Sequence, residues 1–99
     1  MKLELTTKIK SIEGEVLTDK NKEVTLGHVL VESLMANYNN EILTGQEKFQ
    51  RYELAVKVHP TMKVADITVE EAALLKDLVG KAYGPAVVGP VYGLFEGKK

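Results

Sequence analysis

The chain has 99 residues, 44% of them hydrophobic and 27% charged, with 13 basic and 14 acidic side chains and a formal net charge of -1. That size suits a single domain spanning residues 1–99 and supplies enough apolar material for a core, which excludes a disordered chain. The balanced charge disfavours nucleic acid or an anionic membrane as a partner, and the absence of cysteine removes disulfides, thiolate metal sites and thiol nucleophiles.

Met1 to Leu5 alternates charge with leucine, where a signal peptide needs a continuous apolar run. Leu3, Leu5, Ile9 and Ile12 follow a period-2 rhythm among charged residues, which predicts extended segments with these four on a buried face. Glu13-Gly14 turns the chain, and Asp19-Lys20-Asn21-Lys22 forms a polar turn before Glu23-Val24. Residues 2–24 therefore read as a small hairpin or meander.

From Leu26 the period changes to that of a helix. Leu26, Val29, Leu30, Leu34 and Tyr38 share one stripe, widened by Val31 and Met35, with Thr25 as N-cap and an end near Asn37 to Asn40. Thr44 and Glu47 have capping-box spacing, so a second helix starts there and ends at His59-Pro60. Phe49, Tyr52 and Val56 are expected to face its core, broadened by Leu54, Ala55 and Val58, and Glu47 and Arg51 are spaced for an ion pair.

Thr68 and Glu71 repeat the capping box, with Ile67 placed to staple onto Ala72. Leu75, Leu78, Val79 and Ala82 form the buried stripe of this third helix, and Gly84-Pro85 is expected to supply a left-handed cap and a stop. Gly80 inside the helix costs about 1 kcal/mol relative to alanine and points to close approach of another backbone. Pro85 to Phe95 reads as a short, bent helix around Pro90, with an extended segment as the alternative. Val87, Val91, Leu94 and Phe95 would face the core, and Gly97-Lys98-Lys99 would fray. Ala82 to Phe95 is the longest charge-poor stretch, but glycine and proline interrupt it and it is shorter than the roughly 20 apolar residues that span a bilayer. The expected class is α+β, an N-terminal β-hairpin or meander packed on three to four helices, in a soluble cytoplasmic protein.

No arrangement of reactive side chains in the sequence has the spacing of a known catalytic or metal centre. His28 and His59 lack the helix-face spacing of a metal pair, and Ser11 and Ser33 lie outside a G-x-S-x-G elbow. Glu70 and Glu71 are explained by the helix N-terminus. Gly80, Gly84 and Gly89 near Lys81 punctuate a helix C-terminus, opposite to the order of a phosphate loop. The expectation is a non-enzyme without cofactor or metal; a deep pocket where Tyr52, His59 and acidic side chains converge would point to an enzyme instead. Tyrosines anchor interfaces, so Tyr38, Tyr83 and Tyr92, with Val91 and Phe95 on a carboxy-terminal apolar strip, are the candidate partner-binding residues.

Val24-Thr25-Leu26-Gly27, the run Gly45 to Tyr52, and Leu78 to Pro85 with Val87-Val88-Gly89 together resemble small uncharacterised proteins encoded by bacteriophages and prophages. The resemblance spans most of residues 13–97. It implies stoichiometric action in a bacterial cytoplasm, on a host protein or a phage protein. The alternatives are a homo-oligomeric morphogenesis component and a DNA-associated regulator, the latter opposed by dispersed lysines interleaved with acids.

Overall fold

The amino-terminal strand finds its partner far along the chain. In the computed structural model, which describes residues 1–97, β1 (Lys2–Glu4) pairs antiparallel with β4 (Val64–Asp66), with Leu3 opposite Ala65. Both side chains are buried, so the sheet closes over apolar surface and continues when Leu5 N–H donates to Lys63 O at 2.8 Å. Between these strands lie β2 (Thr18–Asp19), β3 (Lys22–Glu23), α1 (Leu26–Met35), α2 (Gly45–Val58) and a 3-10 turn at Pro60–Met62, and α3 (Val69–Ala82) and α4 (Pro85–Phe95) follow. The class is α+β. Lys98 and Lys99, assigned above to a frayed tail, lie outside the described residues.

A hairpin does form within residues 2–24, as expected, but β1 is not part of it, because it leaves that segment to join β4. Residues 9–24 do form a compact unit. Ile9 N–H donates to Val24 O, Leu17 N–H to Ile9 O and Val24 N–H to Leu17 O, all at 2.8–2.9 Å. Within it, β2 and β3 form a hairpin whose turn residues Lys20 and Asn21 take φ of 52° and 68°, the left-handed pair that matches strand twist. Leu3, Leu5 and Ile9 are buried as expected, but Ile12 is 98% exposed. It sits at the outer turn closed by Gly14 N–H to Ser11 O, where the alternation stops.

α1 begins where Thr25 Oγ1 accepts from His28 N–H, which satisfies one of the free donors of the first turn. Leu26, Val29, Leu30 and Leu34 enter the core, while Met35, expected to widen the buried face, stays 55% exposed. α1 packs against both α2 and α3. At Gly27 it comes so close to the end of α2 that a Cβ would stand 2.9 Å from both Val58 O and Pro60 Cγ.

Both capping boxes form, at Thr44 with Glu47 and at Thr68 with Glu71. Two other expectations for α2 fail. Its buried residues are Leu54, Ala55 and Val58, whereas Phe49, Tyr52 and Val56 are half exposed. Arg51 turns from Glu47 to Glu41, making two bonds of 2.7 Å, because Glu47 is already committed to its cap. These bonds hold the Glu41 carboxyl below the usual carboxylate range. Burial pushes Glu71 upward, but bonds from Lys57 at 2.9 Å and Thr68 outweigh it and the carboxyl sits below its ordinary value. Lys57 thereby ties α2 to α3.

The buried stripe of α3 is Leu75, Leu78 and Val79, with Ala82 exposed. Its end differs from the left-handed cap expected at Gly84: Tyr83 is the extended C-cap, and Gly84, with φ -87°, starts α4. Residues 85–95 form a helix with Pro90 inside it, not an extended segment. Gly80 is not crossed by another backbone. A Cβ there would meet the Tyr92 hydroxyl at 2.9 Å, and that hydroxyl donates to Lys76 O at 2.6 Å, so α4 is pinned to α3 through a tyrosine. Gly80→Ala should therefore lose the usual gain of about 1 kcal/mol in helix propensity, and recover it in a Tyr92→Phe background. Urea unfolding of the four proteins should give a coupling of about 0.5 kcal/mol or more; additive effects would contradict the contact.

Candidate functional site

α2 carries two apolar faces, and the core uses one. The other, with Tyr52 and Val56, borders a groove of about 390 Å³ whose opposite wall is Val31 and Met35 of α1 and whose end is closed by His59 and Met62. Met35, Tyr52, Val56 and Met62 each leave 50–55% of their surface exposed, as does Phe49 one turn earlier on α2. Scattered apolar residues are ordinary on a protein surface, but a contiguous set around one groove is the mark of an interaction site. Two methionines at its edges add unbranched, polarizable side chains that adapt to a partner's shape.

The folding of this face follows from local sequence. His59 ends α2 in an extended conformation before Pro60, and its Nδ1 accepts from Thr61 N–H at 3.2 Å. That bond sets the 3-10 turn that presents Met62. Tyr52 and His59 thus line one groove, but its other lining residues are aliphatic apart from Thr61. The acidic side chains that a catalytic reading of these two residues requires are elsewhere.

The candidate residues drawn from the sequence have other duties. Val91 and Phe95 are 0% and 4% exposed, so both face the core as their helical spacing predicts and neither offers a partner more than a sliver of surface. Tyr38 lies just beyond α1, where its hydroxyl donates to Ser33 O at 2.7 Å, with Leu78 O a further acceptor at 3.3 Å. Burial raises its hydroxyl above the ordinary range, with Arg51 opposing. Lys81 Nζ stands 5.9 Å from its ring and Lys76 Nζ 5.1 Å from that of Tyr92. Tyr38 and Tyr92 therefore brace α3 from its neighbours. Tyr83 is half buried at the end of α3, and burial raises its hydroxyl also. None of the three joins the groove.

Of the residues that form it, Val31, Met35, Tyr52, Ala55 and Val56 were assigned to the core and His59 to the helix end, while Thr61 and Met62 were not singled out. The available signal was that α2 is apolar on two sides, Leu54-Ala55-Val58 and Phe49-Tyr52-Val56, more than a helix packed on one side of a small core can bury. Among the described residues, no group of three or more His, Asp or Glu side chains is placed to hold a metal ion. No helix among them is long and apolar enough to cross a membrane. No family model, curated protein or solved structure matches the chain.

Proposed function

We propose that this chain is a non-enzymatic protein-binding module that acts stoichiometrically on a host or phage protein in the bacterial cytoplasm, docking through the α1/α2 groove. The observation that carries this reading is the contiguous exposure of Met35, Tyr52, Val56 and Met62, continued by Phe49. Its shape, two helix walls around an apolar floor, suits the apolar stripe of a partner helix, which such grooves accept at successive turns. The bacterial setting rests on the resemblance of Gly45 to Tyr52 and Leu78 to Pro85 to phage-encoded proteins.

Tyr52→Glu with Val56→Glu tests the reading. Both side chains are half exposed, so thermal unfolding should stay within about 0.5 kcal/mol of the parent for each change. Placing two carboxylates in a desolvated interface and losing a tyrosine anchor should weaken binding about 100-fold. The comparison is affinity capture from infected and uninfected bacterial lysate with parent and variant in parallel, followed by titration of the protein recovered. A partner retained equally by both proteins would place the interface elsewhere and overturn the assignment.

A further inference from the structure

A second surface has the opposite construction, a strand edge facing a helix. A cleft of about 740 Å³ runs between residues 7–11 and the Gly89, Pro90 and Gly93 face of α4. Residues 7–11 are extended and paired along one side: Thr7 O, Ile9 N–H, Ile9 O and Ser11 N–H are bonded to Leu26, Val24, Leu17 and Glu15. In an extended chain the groups of alternate residues point to opposite sides. The N–H and C=O of Lys8 and Lys10 accordingly form a free outer edge, with no hydrogen-bond partner among the described residues. Unpaired strand edges of this kind are templates for another extended backbone.

The far wall is shaped for the same occupant. A Cβ added at Gly89 would meet nothing within 4 Å, so α4 leaves open space beside the edge, and this glycine is not required by packing within the chain. The lysines add a charge preference. Lys8 Nζ is shared with Glu23 at 2.9 Å, while Lys10 is exposed and without an ion-pair partner among the described residues. Side chains directly opposite one another on paired strands interact, and opposite charges stabilise the pair.

We infer that this cleft binds an extended segment of a partner protein by strand addition along Lys8 to Lys10, with an acidic residue opposite Lys10 and an apolar residue next to it that lies over Gly89 of α4. Main-chain bonds to Lys8 and Lys10 supply the affinity, and the two side-chain positions supply the selectivity. This site is independent of the α1/α2 groove.

The test uses the whole protein and an acetylated, amidated hexapeptide of alternating valine and glutamate labelled with a fluorophore, read by anisotropy. Binding should weaken at least 10-fold when glutamate is replaced by lysine, and should vanish when alternate peptide nitrogens on the paired edge are methylated, which removes the donors of the ladder. Lys10→Glu should invert the preference between the two peptides, with circular dichroism reporting an unchanged fold. Tyr52→Glu with Val56→Glu should leave peptide binding unaltered, so the two sites stand or fall separately. No binding by the glutamate peptide at millimolar concentration, equal binding by the methylated peptide, or an unchanged preference in the Lys10→Glu protein would each overturn the assignment. Should Lys10→Glu alter the fold, the peptide series alone decides.

Discussion

Gly27→Val is expected to lower stability by about 3 kcal/mol or more in urea unfolding, because the new side chain cannot enter the α1/α2 crossing without moving backbone. Its first carbon alone would stand 2.9 Å from Val58 O and 3.0 Å from Pro60 N. A flexible side chain can swing away from such an intrusion, whereas a carbonyl that ends a helix and the proline that follows it cannot. Gly27 N–H also donates to Leu5 O at 2.9 Å, so any shift of α1 loosens the joint between the helices and the amino-terminal segment. Against a total stability of about 5–15 kcal/mol for a domain of this kind, such a loss would leave a large unfolded fraction on mild heating. Gly45→Ala is the control: a Cβ there meets nothing within 4 Å, and helix propensity favours alanine. Equal losses at the two positions would mean that the crossing is looser than described.

Phe95→Ala should destabilise by about 3–5 kcal/mol, the range for removing a buried aromatic side chain. The ring is 4% exposed and belongs to the same core as Leu78 and Val91. The result separates two roles for the carboxy-terminal helix. A residue held for a partner leaves the free protein's unfolding curve unchanged when truncated, whereas a core residue shifts it without any partner present. Phe49→Ala makes the contrast in one experiment. That ring is 54% exposed, and its loss should change stability by about 0.5 kcal/mol or less. The two phenylalanines of the chain thus have opposite expected behaviour, and the reverse order of effects would contradict the packing described.

The parts of this fold that were legible in the sequence are those decided within a few residues. Thr44 and Thr68 announce α2 and α3 because a capping box needs only a hydroxyl and a carboxylate three positions apart. The spacing of Leu26, Val29, Leu30 and Leu34 likewise identifies the inner face of α1. β4 was not legible: three residues, Val64-Ala65-Asp66, hold too few alternations to show a period, and their pairing with β1 is decided by burial of Leu3 and Ala65 across the length of the chain. The candidate site failed for a related reason. Periodicity tells which residues share a helix face but not which face turns inward, and α2 offers two. Tyr52 was therefore placed inside, the reverse of the structure, while Phe95, read both as core-facing and as a candidate partner contact, is core. The strand-edge cleft is legible only from hydrogen bonds, since nothing about Lys8 or Lys10 in the sequence says which backbone groups remain unpaired.

The long reach of β1 also shapes how the protein is made. The Met1 amino group donates to Ile67 O at 2.9 Å, across 66 residues, beside the ladder of β1 on β4. Contacts of α1 with α2 close short loops and form early, while a pairing across most of the chain must wait for its slower closure. During synthesis the amino-terminal segment emerges first and finds its partner late, so Leu3 and Leu5 spend that interval uncovered. Lys2 and Glu4, which make no ion pair in the finished fold among the described residues, flank and separate those leucines. Charges flanking an apolar strand disfavour its pairing with copies on neighbouring nascent chains, so their placement here suits a strand that must wait for its partner.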